Sequence, residues 1–111
     1  MIILEKPISV REIKELHSSF YSAMVKIVVD IERELIALDA EMHADLEQHL
    51  LEMDSKQKNL WGANIYFERP GYVEFTSLIN IRPAQNNRGM EVQDRQVRDR
   101  ISEIVNKFIN W

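Results

Sequence analysis

Between Leu60 and Pro83 the chain reads LWGANIYFERPGYVEFTSLINIRP, two runs of β-favouring residues on either side of the breaker Arg69-Pro70-Gly71. Side chains alternate between faces along a strand, so Trp61, Ala63, Ile65 and Phe67 share one face of the first run. Val73, Phe75, Ser77, Ile79 and Ile81 do the same in the second. The opposite parity carries Asn64, Tyr66, Glu74, Thr76, Asn80 and Arg82, with Leu60 and Leu78 as exceptions. The hairpin expected over 60–82 therefore offers one apolar face for helices and one face rich in hydrogen-bonding groups. A two-residue turn at Pro70-Gly71 would pair odd with even positions and put apolar side chains on the wrong face. Pairing Phe67 with Val73 keeps the apolar sets together, which predicts a loop over Glu68 to Tyr72 or a bulge.

With 111 residues, 45% of them apolar and 29% charged, the chain has material for one soluble domain with one core. It contains no cysteine, which removes disulfides, thiol chemistry and cysteine-based zinc sites. The start, MIILEKPIS, has too short an apolar run for a signal peptide, and no stretch approaches the ~20 apolar residues of a membrane helix. A cytoplasmic protein away from membranes is expected. Net charge is -4, with 7 basic and 12 acidic side chains in residues 1–59 against 6 and 4 in residues 82–111. Such a balance argues against nucleic acid as partner, while the basic C-terminal third leaves room for a local anion site.

Residues 1–5 read as a short strand. Ser9-Val10-Arg11-Glu12 fits a capping box, opening a helix over 9–22 with Val10, Ile13, Leu16, Phe20 and Met24 as its stripe. Residues 24–38 fit either a helix or two strands with a sharp turn; their Val and Ile density favours strands. A second helix is expected over 41–53, with Asp39 as its N-cap and Met42, Leu46, Leu50 and Met53 on one side. The third, over 94–109, is capped by Asp94 and carries Val97, Ile101, Ile104, Val105, Phe108 and Ile109, with Trp111 continuing the stripe. The fold class is α+β: a mainly antiparallel sheet with three helices.

The segments VKIVVDIE, EMHADLE, NLWGANIY and EFTSLINIRPAQNNR resemble a family of small bacterial and archaeal proteins of unknown function. The likeness covers nearly the whole chain. Two positions depart from the pattern: Asp54 stands where relatives have glycine, and Arg95 where they have the proline that opens the last helix. The family has no established activity, so the resemblance assigns no catalytic residue.

Two constellations have the side chains for chemistry. The acidic segment 30–47 holds Asp30, Glu32, Asp39, Glu41, His43, Asp45 and Glu47; His43 with Glu47, like Asp45 with His49, stand one helical turn apart. Carboxylates with imidazole suit a small metal-dependent or acid/base hydrolase. The plainer reading is the solvated face of an amphipathic helix with no metal, since no HExxH spacing is present. The second constellation joins Asn64, Asn80 and Arg82 to Asn86 and Arg88 in the loop that follows, with Thr76 and Gln85 beside them. Guanidinium forks and amides suit a carboxylate or phosphate, or else tie a loop to its neighbours. No glycine-rich phosphate loop or nucleophile elbow exists, and no cofactor is implied. A non-catalytic binding or interaction module with an anion site on the polar sheet face is the expectation. Its partner would be a small anionic ligand, another protein, or a second copy in a homodimer.

Overall fold

In the computed structural model, which describes residues 1–111, the valines and isoleucines of 24–38 form two strands, not a helix. They are β3 (Met24–Asp30) and β4 (Leu35–Leu38). Strand wins because β3 is central and covered on both faces, so its sequence need not be amphipathic. The Asp30 carboxylate turns the chain, accepting from the amides of Glu32 and Arg33, and Glu34 takes a positive φ of 55°. β3 pairs antiparallel with β4 on one side and with β5 (Leu60–Tyr66) on the other. β1 (Ile2–Leu4) flanks β4, and β6 (Val73–Glu74) flanks β5, giving the order β1-β4-β3-β5-β6.

Alternation along these strands feeds two cores, one on each face of the sheet, where the chain length led us to expect one. Val25, Ile27, Val29, Ile36, Leu38, Ala63 and Ile65 meet α1 (Val10–Leu16) and α3 (Arg95–Phe108) through Ile13, Ile101, Ile104 and Val105. On the other face Val28, Ala37 and Leu60 meet α2 (His43–Glu52) through Leu46 and Leu50. Each fully buried leucine contributes roughly 1.5–3 kcal/mol. A parallel bridge between β2 (Ile8–Ser9) and β7 (Ile109–Asn110) ties the end of α3 to the start of α1. The domain is thus α+β and three layers deep, and no helix is long and apolar enough to cross a membrane.

Caps account for the helix starts. Ser9 accepts from the Glu12 amide and Asp94 from the Gln96 amide, as expected. The first helix, however, stops at Leu16, not near residue 22. Ser19 gives both its amide and its hydroxyl to the Asp39 carboxylate, an alternative to continuing the helix. Leu16 and Phe20 consequently stay exposed, and Met24 opens β3. Asp39 is therefore not the cap of α2. That helix begins later, after Met42, and no side chain caps it. Trp111 does not extend the α3 stripe inward; it is partly exposed and its indole donates to Asn106.

The second arm of the expected 60–82 hairpin is short. The odd-with-odd pairing holds but is shifted by two: Ile65 faces Val73 and Asn64 faces Glu74, leaving Phe67 to Tyr72 as the loop. After Glu74 the chain leaves the ladder, and Leu78–Asn80 form a 3₁₀ turn despite their alternating sequence.

α2 ends in a Schellman motif. The Ser55 amide donates to the Leu50 carbonyl and the Asp54 amide to the Leu51 carbonyl, with Asp54 left-handed at φ 70°. Glycine occupies that conformation without Cβ strain. Asp54→Gly should therefore raise stability by about 0.5–1 kcal/mol in chemical denaturation. A loss on substitution would mean that the Asp54 side chain stabilises the turn.

Candidate functional site

Gly62 lies mid-way along β5, on the face toward α2. A Cβ there would stand 2.5 Å from the Ser77 Cβ and 2.7 Å from its Oγ, so glycine is what lets residues 75–80 close onto the sheet. Asn80 then acts as a strand substitute. Its side-chain oxygen accepts from the Gly62 amide at 2.9 Å, and its Nδ2 donates to the Gly62 carbonyl at 3.0 Å. Asn87, also buried, donates through Nδ2 to the carbonyls of Asn80, Gly89 and Glu91 and accepts from the Gln93 amide.

Arg82 continues the same edge. Its guanidinium donates to the carbonyls of Ile79, Gln57 and Leu60, and reaches Gln85 Oε1 and Glu47 Oε2, each at 3.5 Å. It also lies over the Trp61 ring, 4.6 Å from its centroid. All five N–H directions of the fork have an acceptor. The charge partner is Glu47, 35 residues away, while Glu74 bonds Asn64 and Tyr66. Asn86 and Arg88 stand exposed outside this loop, and neither arginine lines a surface cavity. Of the five ligand residues expected from sequence, the structure brings Asn80 and Arg82 together at the β5 edge and leaves Asn64, Asn86 and Arg88 apart from them.

Asn64 belongs to a cleft of about 320 Å³ between the amino end of α2, strands β3 and β5, and residues 76–79. Its polar lining is Lys26, His43, Asn64, Thr76 and Ser77; Met42, Leu78 and Met90 add apolar surface and are exposed at 55%, 68% and 42%. The Asn64 Nδ2 donates to Glu74 Oε1 at 2.8 Å and to the Thr76 carbonyl at 3.3 Å. Both neighbours are acceptors, which fixes the amide orientation. Its Oδ1 is fully buried and meets no donor in hydrogen-bond geometry, with the His43 ring as its polar neighbour.

His43, expected on a solvated helix face, is only 7% exposed and points at the sheet. Its Nε2 meets the Ala63 carbonyl at 2.8 Å. A carbonyl only accepts, so Nε2 carries the proton and the neutral ring leaves Nδ1 as a bare acceptor. Burial holds the imidazole below its ordinary value, and Lys26 adds to this. The Ala63 carbonyl, the Asn64 side chain and Glu74 pull the other way. Lys26, directly opposite Asn64 in the β3–β5 register, lies 5.5 Å from the Tyr21 ring centroid and has no ion-pair partner.

Glu47 is also turned inward, toward Arg82, so His43 and Glu47 serve different partners and do not form a pair. Burial raises the Glu47 carboxyl above its usual range, outweighing Arg82 and Gln57, and burial likewise pulls the Arg82 guanidinium down. Desolvation thus exceeds mutual attraction in this ion pair. Asp45 and His49 line an open groove of about 510 Å³ with Asp39, Glu41 and Glu52. Nowhere do three or more His, Asp or Glu side chains converge as a ligand set. A further cavity, lined by Asn86 and Asn87, borders Trp61, whose buried Nε1 lacks an acceptor; Asp94 shares that lining.

The family model described as "Protein of unknown function (DUF5674)" matches residues 2–108, and the chain belongs to that family. No curated protein and no solved structure matches the chain.

Two measurements test these assignments. Arg82→Ala should cost about 3–5 kcal/mol by leaving Glu47 and three carbonyls unpaired. Glu47→Ala should cost only about 1–2 kcal/mol, since Arg82 keeps its carbonyl acceptors. Equal losses in chemical denaturation would contradict the carbonyl-based role. The second concerns pH. The folded state holds His43 below its ordinary 6.5, so the unfolded chain binds more protons as pH drops below that value. Stability present above pH 6.5 should then fall on acidification toward the folded-state value. Glu47 has the opposite sign: between 4.5 and its raised value the folded state binds more protons, and acidification stabilises. Between about pH 7.5 and 5.5, His43→Gln should therefore flatten the loss seen in the wild type; an unchanged slope would remove His43 as its source.

Proposed function

We propose that this member of the family is a non-catalytic binding module whose ligand occupies the cleft over the polar sheet face, with an anionic group held by Lys26. The observation carrying this reading is the Lys26 ammonium, which lines an open cleft on the polar sheet face and has no ion-pair partner. At about 320 Å³ the cleft is at the lower end of small-ligand sites, and it combines apolar walls with a few polar groups. Anion binding on the polar sheet face is thereby assigned to Lys26. Arg82 has no free donor, and Arg88 faces solvent. Lys26 lines the cleft without a carboxylate partner, beside the uncapped first turn of α2, whose amides favour negative charge. The cavity beside Trp61 is less suited to an anion because Asp94 lines it. A hydrolase reading has no comparable support: Ser77 Oγ accepts from the Ile79 amide, and His43 Nε2 is held by Ala63.

A thermal-shift panel of inorganic phosphate, small carboxylates, amino acids and divalent cations tests the proposal. A ligand at ten times its Kd should stabilise the wild type by about 1.4 kcal/mol. Lys26→Ala should weaken that effect, and Leu78→Trp, which fills the cleft mouth, should remove it. A panel that shifts nothing, or shifts both variants as it does the wild type, would refute the site.

A further inference from the structure

We infer that the open groove beside α2 docks a basic amphipathic segment of another protein, with lysine or arginine on one side and a hydrocarbon or aromatic side chain on the other. The groove shares no lining residue with the cleft over the polar sheet face, so the inference stands apart from that reading.

One wall of the groove is apolar, formed by Met1, Phe20 and Ala40, with the Phe20 side chain 51% exposed. Phe20 stands in solvent although both of its neighbours are tied down. Ser19 donates its amide and its hydroxyl to the Asp39 carboxylate, and the Tyr21 hydroxyl donates to the Glu41 carbonyl at 2.6 Å. An aromatic ring carried on a backbone fixed before binding loses little freedom when a partner covers it, which is the property of an interface anchor.

Charge selects the occupant. The acidic segment 30–47 divides on folding: Asp30, His43 and Glu47 turn inward, whereas Glu41 and Asp45, joined by Glu52, line the groove. None of these three carboxylates has an ion-pair partner, and no lysine or arginine lines the groove. Carboxylates alone would attract only counter-ions; set beside a fixed aromatic ring, they match a partner that is both cationic and apolar. Their sign repels nucleic-acid phosphates and anionic lipid headgroups. A second copy docked symmetrically would bring these carboxylates against their own equivalents. The α3 arginines that another copy could offer, Arg95, Arg98 and Arg100, are already in ion pairs within their own chain.

The test is fluorescence anisotropy of short labelled peptides titrated with the whole chain. The probe places leucine and lysine on opposite sides of a helix; the comparison peptides carry serine for leucine, or glutamate for lysine. The probe should bind at least about tenfold tighter than either comparison peptide, and less tightly as ionic strength rises. Phe20→Ser, and Glu41→Lys with Glu52→Lys, should each weaken it by about tenfold or more. Asp99→Lys with Glu103→Lys makes the same change of net charge on α3, across the sheet, and should leave binding as in the wild type. Every substituted side chain is exposed in the fold. If the α3 variant loses as much as the groove variant, or the serine peptide binds as tightly as the probe, the attraction is one of net charge and the docking site is overturned. Binding that survives Phe20→Ser, or a probe that does not bind the wild type, overturns it too. A dimer in sedimentation that Phe20→Ser abolishes would make a second copy the occupant and overturn the heterologous partner.

Discussion

The edge of β5 is the constraint on which the rest of the second half of the chain depends. Antiparallel pairing with β3 satisfies one side of this strand, and β6 covers only Asn64 and Ile65 on the other. The Gly62 N–H and C=O and the Leu60 carbonyl would otherwise be left at a bare edge in a buried setting. Asn80 and Arg82 close it with an amide and a guanidinium in place of a backbone. Those groups make the hydrogen bonds a strand would make, without continuing a template for another chain to pair with. The arrangement works only because Gly62 has no Cβ to hold Ser77 away.

Most of the fold was legible because its signals are local or periodic. The α3 stripe, the Ser9 capping box and the β-branched density of β3 each act over a few residues, and each was realised. What escaped was long-range competition. Nothing near Phe20 reveals that Asp39 will claim the Ser19 amide and hydroxyl and end α1 early. The alternation of Val73, Phe75, Ser77, Ile79 and Ile81 reads as strand, yet Asn80, Arg82 and Asn87 form a different set of bonds that a ladder would forbid. Asparagine and serine density in 77–87 was the available hint, since these side chains compete with backbone pairing. The polarity of the even positions was read correctly, but α2 and the 75–80 segment cover that face, leaving only part of it open.

The site was partly legible for the same reason. Asn64, Asn80 and Arg82 do interact with the sheet, but the sequence could not distinguish a guanidinium that meets a ligand from one consumed by carbonyls of Gln57, Leu60 and Ile79. Lys26 was missed outright. It looks like the ordinary outward residue of a strand, and its interest comes from facing Asn64 across the β3–β5 pair. His43 was misplaced because one helical turn of acidic and amide neighbours suggested solvent. The helix phase that buries Leu46 and Leu50 also carries His43 inward, three and seven residues earlier.

The structural edge and the open cleft have one origin. Where the chain leaves the ladder after Glu74, it closes down on β5 through Ser77, packed against Gly62, and through the strand-mimicking Asn80 amide. Past the Asn64–Glu74 pair, Thr76, Ser77 and Leu78 line the cleft in irregular conformation, and α2 begins at His43, too late to cover the gap. A full-length β6 would have met β5 all along its edge and left no room for the cleft. Shortening the strand therefore opens a pocket on the polar face, while the burial of Asn80, Arg82 and Asn87 limits that opening to one end. The same packing leaves the Asn64 oxygen without a donor. Asn80 and Arg82 meet the Gly62 and Leu60 groups of this edge with dedicated side chains, and no donor of that kind reaches the Asn64 oxygen.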